Sequence, residues 1–220
     1  MLRITASTSS AQAKSYFSTA DYYTEGQELV GRWRGNGAVL LGLSGEITQP
    51  QWDALCDNLH PQTGEQLTLR TREFRRVGYD FTFNVPKSVS VLHALTEDDR
   101  LLEAVRESVR ETMDDIEAEM QARIRKAGRD EDRTTSNIVM GEFVHLTSRP
   151  VDGIPDPQLH AHCFIFNATF DEQEQAWKAG QFGALKRDAT YYEAKFHVRL
   201  GEKLAALGIE IERKQKFWDI

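Results

Sequence analysis

Three histidines are the sharpest chemical feature of the 220-residue chain. His160-Ala161-His162 reads as a strand segment, and a strand sends side chains two apart to the same face, so both imidazoles aim at one point. His145 ends the preceding strand-like run. If the two runs are antiparallel neighbours joined through 147–159, His145 comes to lie beside the pair. Three neutral imidazoles can hold a divalent cation and leave positions open for phosphate oxygens and water. A His-x-His pair alone is more often a pair of partly buried hydrogen-bonding residues, and the third histidine is what turns the reading toward a metal.

Other reactive groups lie upstream. In 79–85, Tyr79, Phe81, Phe83 and Val85 would share one strand face and Asp80, Thr82 and Asn84 the other. A carboxylate at Asp80 either orients a ligand imidazole or takes a proton from a hydroxyl nucleophile, although a strand aspartate by itself more often makes a structural hydrogen bond. Tyr16, Tyr22 and Tyr23 are core aromatics or nucleophiles, the second requiring a base or a cation to offset a phenol pKa of about 10.

The elements that must position these groups follow from periodicity. Strands are predicted over 138–146 and 160–170, with a proline- and glycine-containing loop at 149–157. A short helix is predicted from Ser10 to about Ala20, an ordered surface loop at 31–37, and a helix after Pro86 that turns Val89 and Leu92 inward. Apolar residues from Leu101 to Ile124 recur every three or four positions, predicting one long amphipathic helix with an acidic, solvated face. A last helix over 186–207 should stop at Gly208, with a strand beginning at 209–211. The order of strands and helices excludes a doubly wound parallel sheet. It predicts an α+β fold in which a mainly antiparallel sheet carries the histidines and helices cover it.

Bulk properties bound the remaining choices. With 40% hydrophobic and 28% charged residues, residues 1–220 read as one globular domain, and disorder is not indicated. There is no signal-like start and no apolar run long enough to cross a bilayer, which places the chain in the cytoplasm. Cys56 and Cys163 are too few and too far apart for a disulfide framework or a thiolate zinc site, and read as buried thiols.

A net charge of −7 is unusual for a nucleic-acid-binding protein, but most of the excess sits between Glu97 and Arg133. Basic residues cluster at Arg32 and Arg34, at Arg70, Arg72, Arg75 and Arg76, and at Arg213, Lys214 and Lys216. Each cluster is either ordinary surface or a phosphate contact. The second group could form a hairpin arm that presents guanidinium groups to DNA.

Taken together, Tyr16 with Tyr22-Tyr23, the string from Gly78 through Pro86-Lys87-Ser88-Val89-Ser90, and His145-Leu146-Thr147-Ser148-Arg149 followed by Pro157-Gln158-Leu159-His160-Ala161-His162 resemble the MobF-type conjugative relaxases, the TrwC and TraI group of the HUH endonuclease superfamily. The resemblance implies a central five-stranded antiparallel sheet flanked by helices. His145, His160 and His162 would bind a divalent metal, Mg2+ or Mn2+ in the cell, with Zn2+, Ni2+ or Cu2+ taken up in purified material. Tyr16 would attack the scissile phosphate, giving a 5′-phosphotyrosyl DNA and a free 3′-hydroxyl. Tyr22 or Tyr23 would serve a later transfer, and Asp80 would act as base or orient a histidine. Lys87 and Arg149 would hold phosphate. The implied partners are single-stranded DNA at an origin of transfer with an adjacent hairpin, and accessory relaxosome proteins, in the bacterial cytoplasm.

Three departures from the family pattern stand out. Phe17 replaces a second adjacent tyrosine, Leu146 replaces an acidic residue after the first ligand histidine, and 150–153 lengthens the following loop. The family's relaxase domain also runs on past the position of Ile220, so the expectation is a domain cut short at that end. Rolling-circle initiators and transposases of the same superfamily usually carry the tyrosine after the histidine pair, the reverse of the order here. A non-catalytic DNA-binding remnant and a histidine-zinc hydrolase are the other classes that the residues allow.

Overall fold

The computed structural model describes residues 1–18, 28–69, 75–126, 129–148, 150, 152, 154–214 and 217–220, and of residues 16–18, 28, 29, 126 and 129 it describes the backbone. In chain order the first elements are β1 (Leu2–Ser7), α1 (Ser10–Ser18), β2 (Glu28–Arg34), α2 (Asn36–Leu40), α3 (Gln49–Cys56), β3 (Gly78–Asn84), α4 (Lys87–Thr96) and α5 (Asp99–Ala118). Then come β4 (Gln121–Lys126), β5 (Arg129–Thr134), β6 (Met140–Thr147), β7 (Pro157–Phe166), β8 (Thr169–Asp171) and β9 (Ala176–Lys178). The chain closes with α6 (Gly183–Arg187), α7 (Ala189–Ala206), β10 (Glu212–Arg213) and β11 (Trp218–Asp219).

Five strands form the central sheet in the order β1-β3-β7-β6-β2, every pair antiparallel. This is the α+β architecture that the sequence predicts. Strand alternation gives the sheet two different faces. Tyr79, Phe81 and Phe83 of β3 and Leu159, Ala161, Cys163 and Ile165 of β7 pack in one core with Val105, Val109, Met113 and Ile116 of α5 and Phe196 and Leu200 of α7. The opposite face carries a second core around Trp52 of α3, with Trp33, Phe143, Phe164 and Phe166. Trp52 is fully buried, its ring centroid 4.8 Å from that of Phe166 and 5.3 Å from that of Phe164. Its indole Nε1 donates to the carbonyl of Ala13 at 2.8 Å, which ties α1 to the same face of the sheet.

The aromatic core covers the Gly78 and Phe166 end of that face. The Asn84, His160 and His145 end lies beyond it. The sheet is therefore half floor of a core and half platform for a site.

Three local expectations are corrected. The glycine-rich 31–37 stretch is not a surface loop: most of it is strand β2, because Trp33 is needed in the second core, 6.1 Å centroid to centroid from both Trp52 and Phe166. The turn out of β2 requires Gly35, whose φ is +88° and whose added Cβ would stand 2.4 Å from the carbonyl oxygen of Ile138. The long helix ends at Ala118 instead of running to Ile124. Met120, Ala122 and Ile124 are buried with period two, in the β4–β5 hairpin. Finally, the acidic face of α5 is not simply solvated. Asp115 pairs with Lys195 and Arg199, both at 2.8 Å, and Glu111 pairs with Lys203 at 2.8 Å, so α7 answers much of the local negative charge. The predicted glycine stop holds: Gly208, at φ +85°, follows α7.

Candidate metal centre

Strand register assembles the site. His145 of β6 stands directly opposite His160 of β7, and His162 leaves β7 on the same face two residues on. The three ring centroids form a near-equilateral triangle with sides of 5.0, 5.1 and 5.0 Å. One nitrogen from each ring can be chosen so that all lie within 4.8 Å of one another, and this is the one such group of potential ligands found among the described residues.

Hydrogen bonds set which nitrogens are available. Nδ1 of His160 lies 2.7 Å from the carbonyl oxygen of Gln158, which can only accept, so that nitrogen carries the hydrogen. Nδ1 of His162 likewise donates to Oδ2 of Asp80 at 2.8 Å. Each ring is left with Nε2 as its lone-pair nitrogen, the arrangement in which a carboxylate or carbonyl orients a ligand histidine. Thr82 donates to the same Asp80 oxygen at 3.1 Å. Oδ1 of Asp80 is buried and has no hydrogen-bond partner among the described residues. Burial pushes His160 down to about 4, against the opposing pull of its bond to Gln158, so the ring is neutral at physiological pH. Three nearly buried imidazoles, two of them oriented by hydrogen bonds, fit a divalent metal ion, and the donor count leaves room for oxygen ligands.

The other predicted residues are distributed around this centre. Tyr16 belongs to α1, while Tyr22, Tyr23, Arg70, Arg72 and Arg149 lie outside the described residues. Arg75 turns Nη2 to the carbonyl of Cys56 at 2.5 Å, closing the C-terminal end of α3. Arg76 donates to the hydroxyl of Tyr79 at 3.0 Å. Lys87, more than half exposed, donates to the carbonyl of Pro157 at 2.7 Å and so holds the start of β7.

One cation on the site face was not predicted. Arg3 of β1 is exposed and sits opposite Thr82, which sits opposite His162, so the three form a row across the sheet. The alternation Leu2-Arg3-Ile4-Thr5 is the signal that could have found it.

Comparison with known proteins agrees with this geometry. Residues 10–220 match the sequence pattern of the TrwC relaxase family. The chain belongs to the TrwC relaxase family. A curated relative is the multifunctional conjugation protein TraI of Escherichia coli strain K12, 30% identical over 230 residues. That match takes in the whole of this chain and 13% of TraI, so the chain spans about an eighth of the relative's length. Among solved structures, the metal-bound conjugative relaxase TrwC in complex with oriT DNA superposes with a TM-score of 0.87 at 30% identity, covering 100% of this chain and 75% of that one. TrwC with a 27-mer DNA comprising the recognition hairpin and the cleavage site gives 0.84 at 30% identity, covering 100% and 74%. In this TrwC-family chain no helix among the described residues is long and apolar enough to cross a membrane.

Proposed function

We propose that residues 1–220 act as one relaxase domain, a metal-dependent nickase and strand transferase for single-stranded DNA at an origin of conjugative transfer. The observation that carries this reading is the convergence of three imidazoles, two of them oriented by hydrogen bonds, on the sheet face to which α1, the helix of Tyr16, is tied. The relatives support it: TrwC has been solved with oriT DNA and with bound metal.

His145, His160 and His162 would hold the ion, Mg2+ or Mn2+ in the cell. Bound there, the ion supplies charge neutralisation and polarisation of the scissile phosphate. The phenol oxygen of Tyr16 attacks phosphorus in line with the 3′ oxygen. The P–O3′ bond breaks, leaving a 5′-phosphotyrosyl ester and a 3′-hydroxyl. Asp80 steadies His162 through Oδ2, and its unpartnered Oδ1 is the acceptor available for the phenol proton. The ester keeps the bond energy for rejoining, and Tyr22 or Tyr23 would take the second transfer. Arg70, Arg72, Arg75, Arg76, Lys87 and Arg149 would contact the DNA backbone, including that of an adjacent hairpin. The setting is the bacterial cytoplasm, with accessory relaxosome proteins.

The test is adduct formation. Protein incubated with an origin-of-transfer oligonucleotide and Mn2+ should yield a species that survives denaturing electrophoresis, with mass spectrometry placing the DNA on Tyr16. Tyr16→Phe should abolish it while leaving oligonucleotide affinity within about twofold. Release of free 5′-phosphate by a Tyr16→Phe variant would replace this reading with a hydrolase.

A further inference from the structure

The second serine of Pro86-Lys87-Ser88-Val89-Ser90 is only 3% exposed. Its hydroxyl oxygen accepts the N–H of Leu159 at 3.0 Å. The carbonyl of that same peptide group, Gln158 O, accepts Nδ1–H of His160 at 2.7 Å. One planar unit is thus held from both sides, its N–H by a hydroxyl on α4 and its C=O by a ligand imidazole.

The β3 register ends at Asn84 opposite His160, where the Val85 N–H reaches the Leu159 carbonyl at 3.5 Å, and the β6 register shifts between His145 and Thr147, so the Leu159 N–H turns to Ser90. Because the peptide is rigid, a rotation that releases the Leu159 N–H also swings the Gln158 carbonyl away from His160. A hydrogen bond to the N–H further polarises the carbonyl that receives the imidazole. The Gln158 side chain adds a lateral tether, donating to Oδ1 of Asn84 at 3.1 Å.

We infer that Ser90 is a positioning residue for the metal centre: through the Gln158–Leu159 peptide it fixes the tautomer and ring orientation of His160. The inference rests on the proposal that the histidines hold a metal, but half of its test does not. In metal-free protein, nitrogen-15 NMR of the histidine side chains should show His160 as the Nδ1–H tautomer, and Ser90→Ala should admit the Nε2–H form. By calorimetry with Mn2+ alone and with Ni2+ alone, Ser90→Ala should bind about tenfold more weakly, the lower end of what loss of a ligand-orienting partner costs. Ser90→Cys keeps the volume with a poor acceptor and should behave alike, which covers a failure of the alanine variant to fold. Ser108→Ala is the control: Ser108 is fully buried in α5 and bonds only its own helix, to Ala104 O at 2.7 Å. It should leave tautomer and metal affinity unchanged. Wild-type tautomer and affinity in both Ser90 variants would overturn the inference, as would an equal loss in Ser108→Ala. If the parent chain bound neither ion, the metal reading would fall while the tautomer measurement still decided the role of Ser90.

Discussion

Asp80 and His162 are bonded at 2.8 Å from Oδ2 to Nδ1, diagonally across β3 and β7. The bond selects the histidine tautomer that leaves Nε2 free to ligate, and it spends only one of the two carboxylate oxygens. Asp80→Ala should therefore lower Mn2+ affinity by about 10- to 100-fold, as removal of an orienting carboxylate does. Asp80→Asn keeps an acceptor oxygen but no base, so it should lose adduct formation by a larger factor than it loses metal affinity. Calorimetry and single-turnover adduct assays on the two variants separate these effects, and equal affinity and rate in both would remove Asp80 from the site.

Arg3 supplies a second, independent check on which face meets DNA. Its place in line with Thr82 and His162 puts an exposed guanidinium beside the end of the sheet that carries the histidines. Arg3→Gln should weaken single-strand binding by a similar factor for different sequences and reduce the slope of log affinity against log salt by about 0.7, the loss of one phosphate contact on a single strand. Metal affinity should not move. Fluorescence anisotropy across a salt series measures it, and an unchanged slope would place the DNA path elsewhere.

How much of this was readable in the residues depends on the scale at which each contact is decided. The His160–His162 pair and the polar face of β3 were legible, because both follow from two-residue alternation within one strand, and His145 joined them once 138–146 and 160–170 were read as neighbouring strands. The end of α5 was not, because Met120 and Ile124 fit the helical period continued from Ile116 and equally the alternation of the β4–β5 hairpin. Strand β2 was hidden by its flanking glycines: what makes Arg32-Trp33-Arg34 a strand is the distant partnership of Trp33 with Trp52 and Phe166. The acidic face of α5 could not be assigned before α7 was known to lie against it. In the site itself, the three histidines and Asp80 announce themselves by residue type. Ser90 acts on a backbone N–H and Gln158 through its backbone carbonyl, partners that a string of side-chain types does not display.

Glu117 links α5 to the turn after β2 and to the entry of β6. Its Oε1 accepts from the N–H of Asn36 at 2.7 Å and of Ile138 at 2.9 Å. Glu117→Ala leaves the buried N–H of Ile138 and the part-buried N–H of Asn36 without that acceptor, and the first alone should cost about 1–3 kcal/mol. Glu117→Gln retains an acceptor oxygen. Burial raises the Glu117 carboxyl above its ordinary value, so folding favours its protonated form. The stability this gives is present below the unfolded-state pKa of about 4.3 and is lost as pH rises through the raised folded-state value. The melting temperature of Glu117→Gln relative to the parent should therefore climb between pH 4 and pH 7, and a difference that stays flat with pH would refute the assignment.

Trp52 is where the anchoring of α1 can be separated from the metal centre. The indole fills the second core and its Nε1 bonds the carbonyl of Ala13, one turn before Tyr16 on the same helix. Trp52→Phe preserves an aromatic ring against Phe143, Phe164 and Phe166 but removes that bond, whose net worth is about 0.5–1.5 kcal/mol. Trp52→Ala also opens a cavity and should cost about 3–5 kcal/mol. The histidines follow this core along the strands, His162 standing opposite Phe143, and His160 and His162 keep hydrogen bonds of their own. Trp52→Phe should then bind Mn2+ like the parent while amide exchange in α1 quickens and the rate of adduct formation falls. If α1 exchange and adduct rate stay at parental values, Trp52 is core packing alone, and some other contact holds the helix that carries Tyr16.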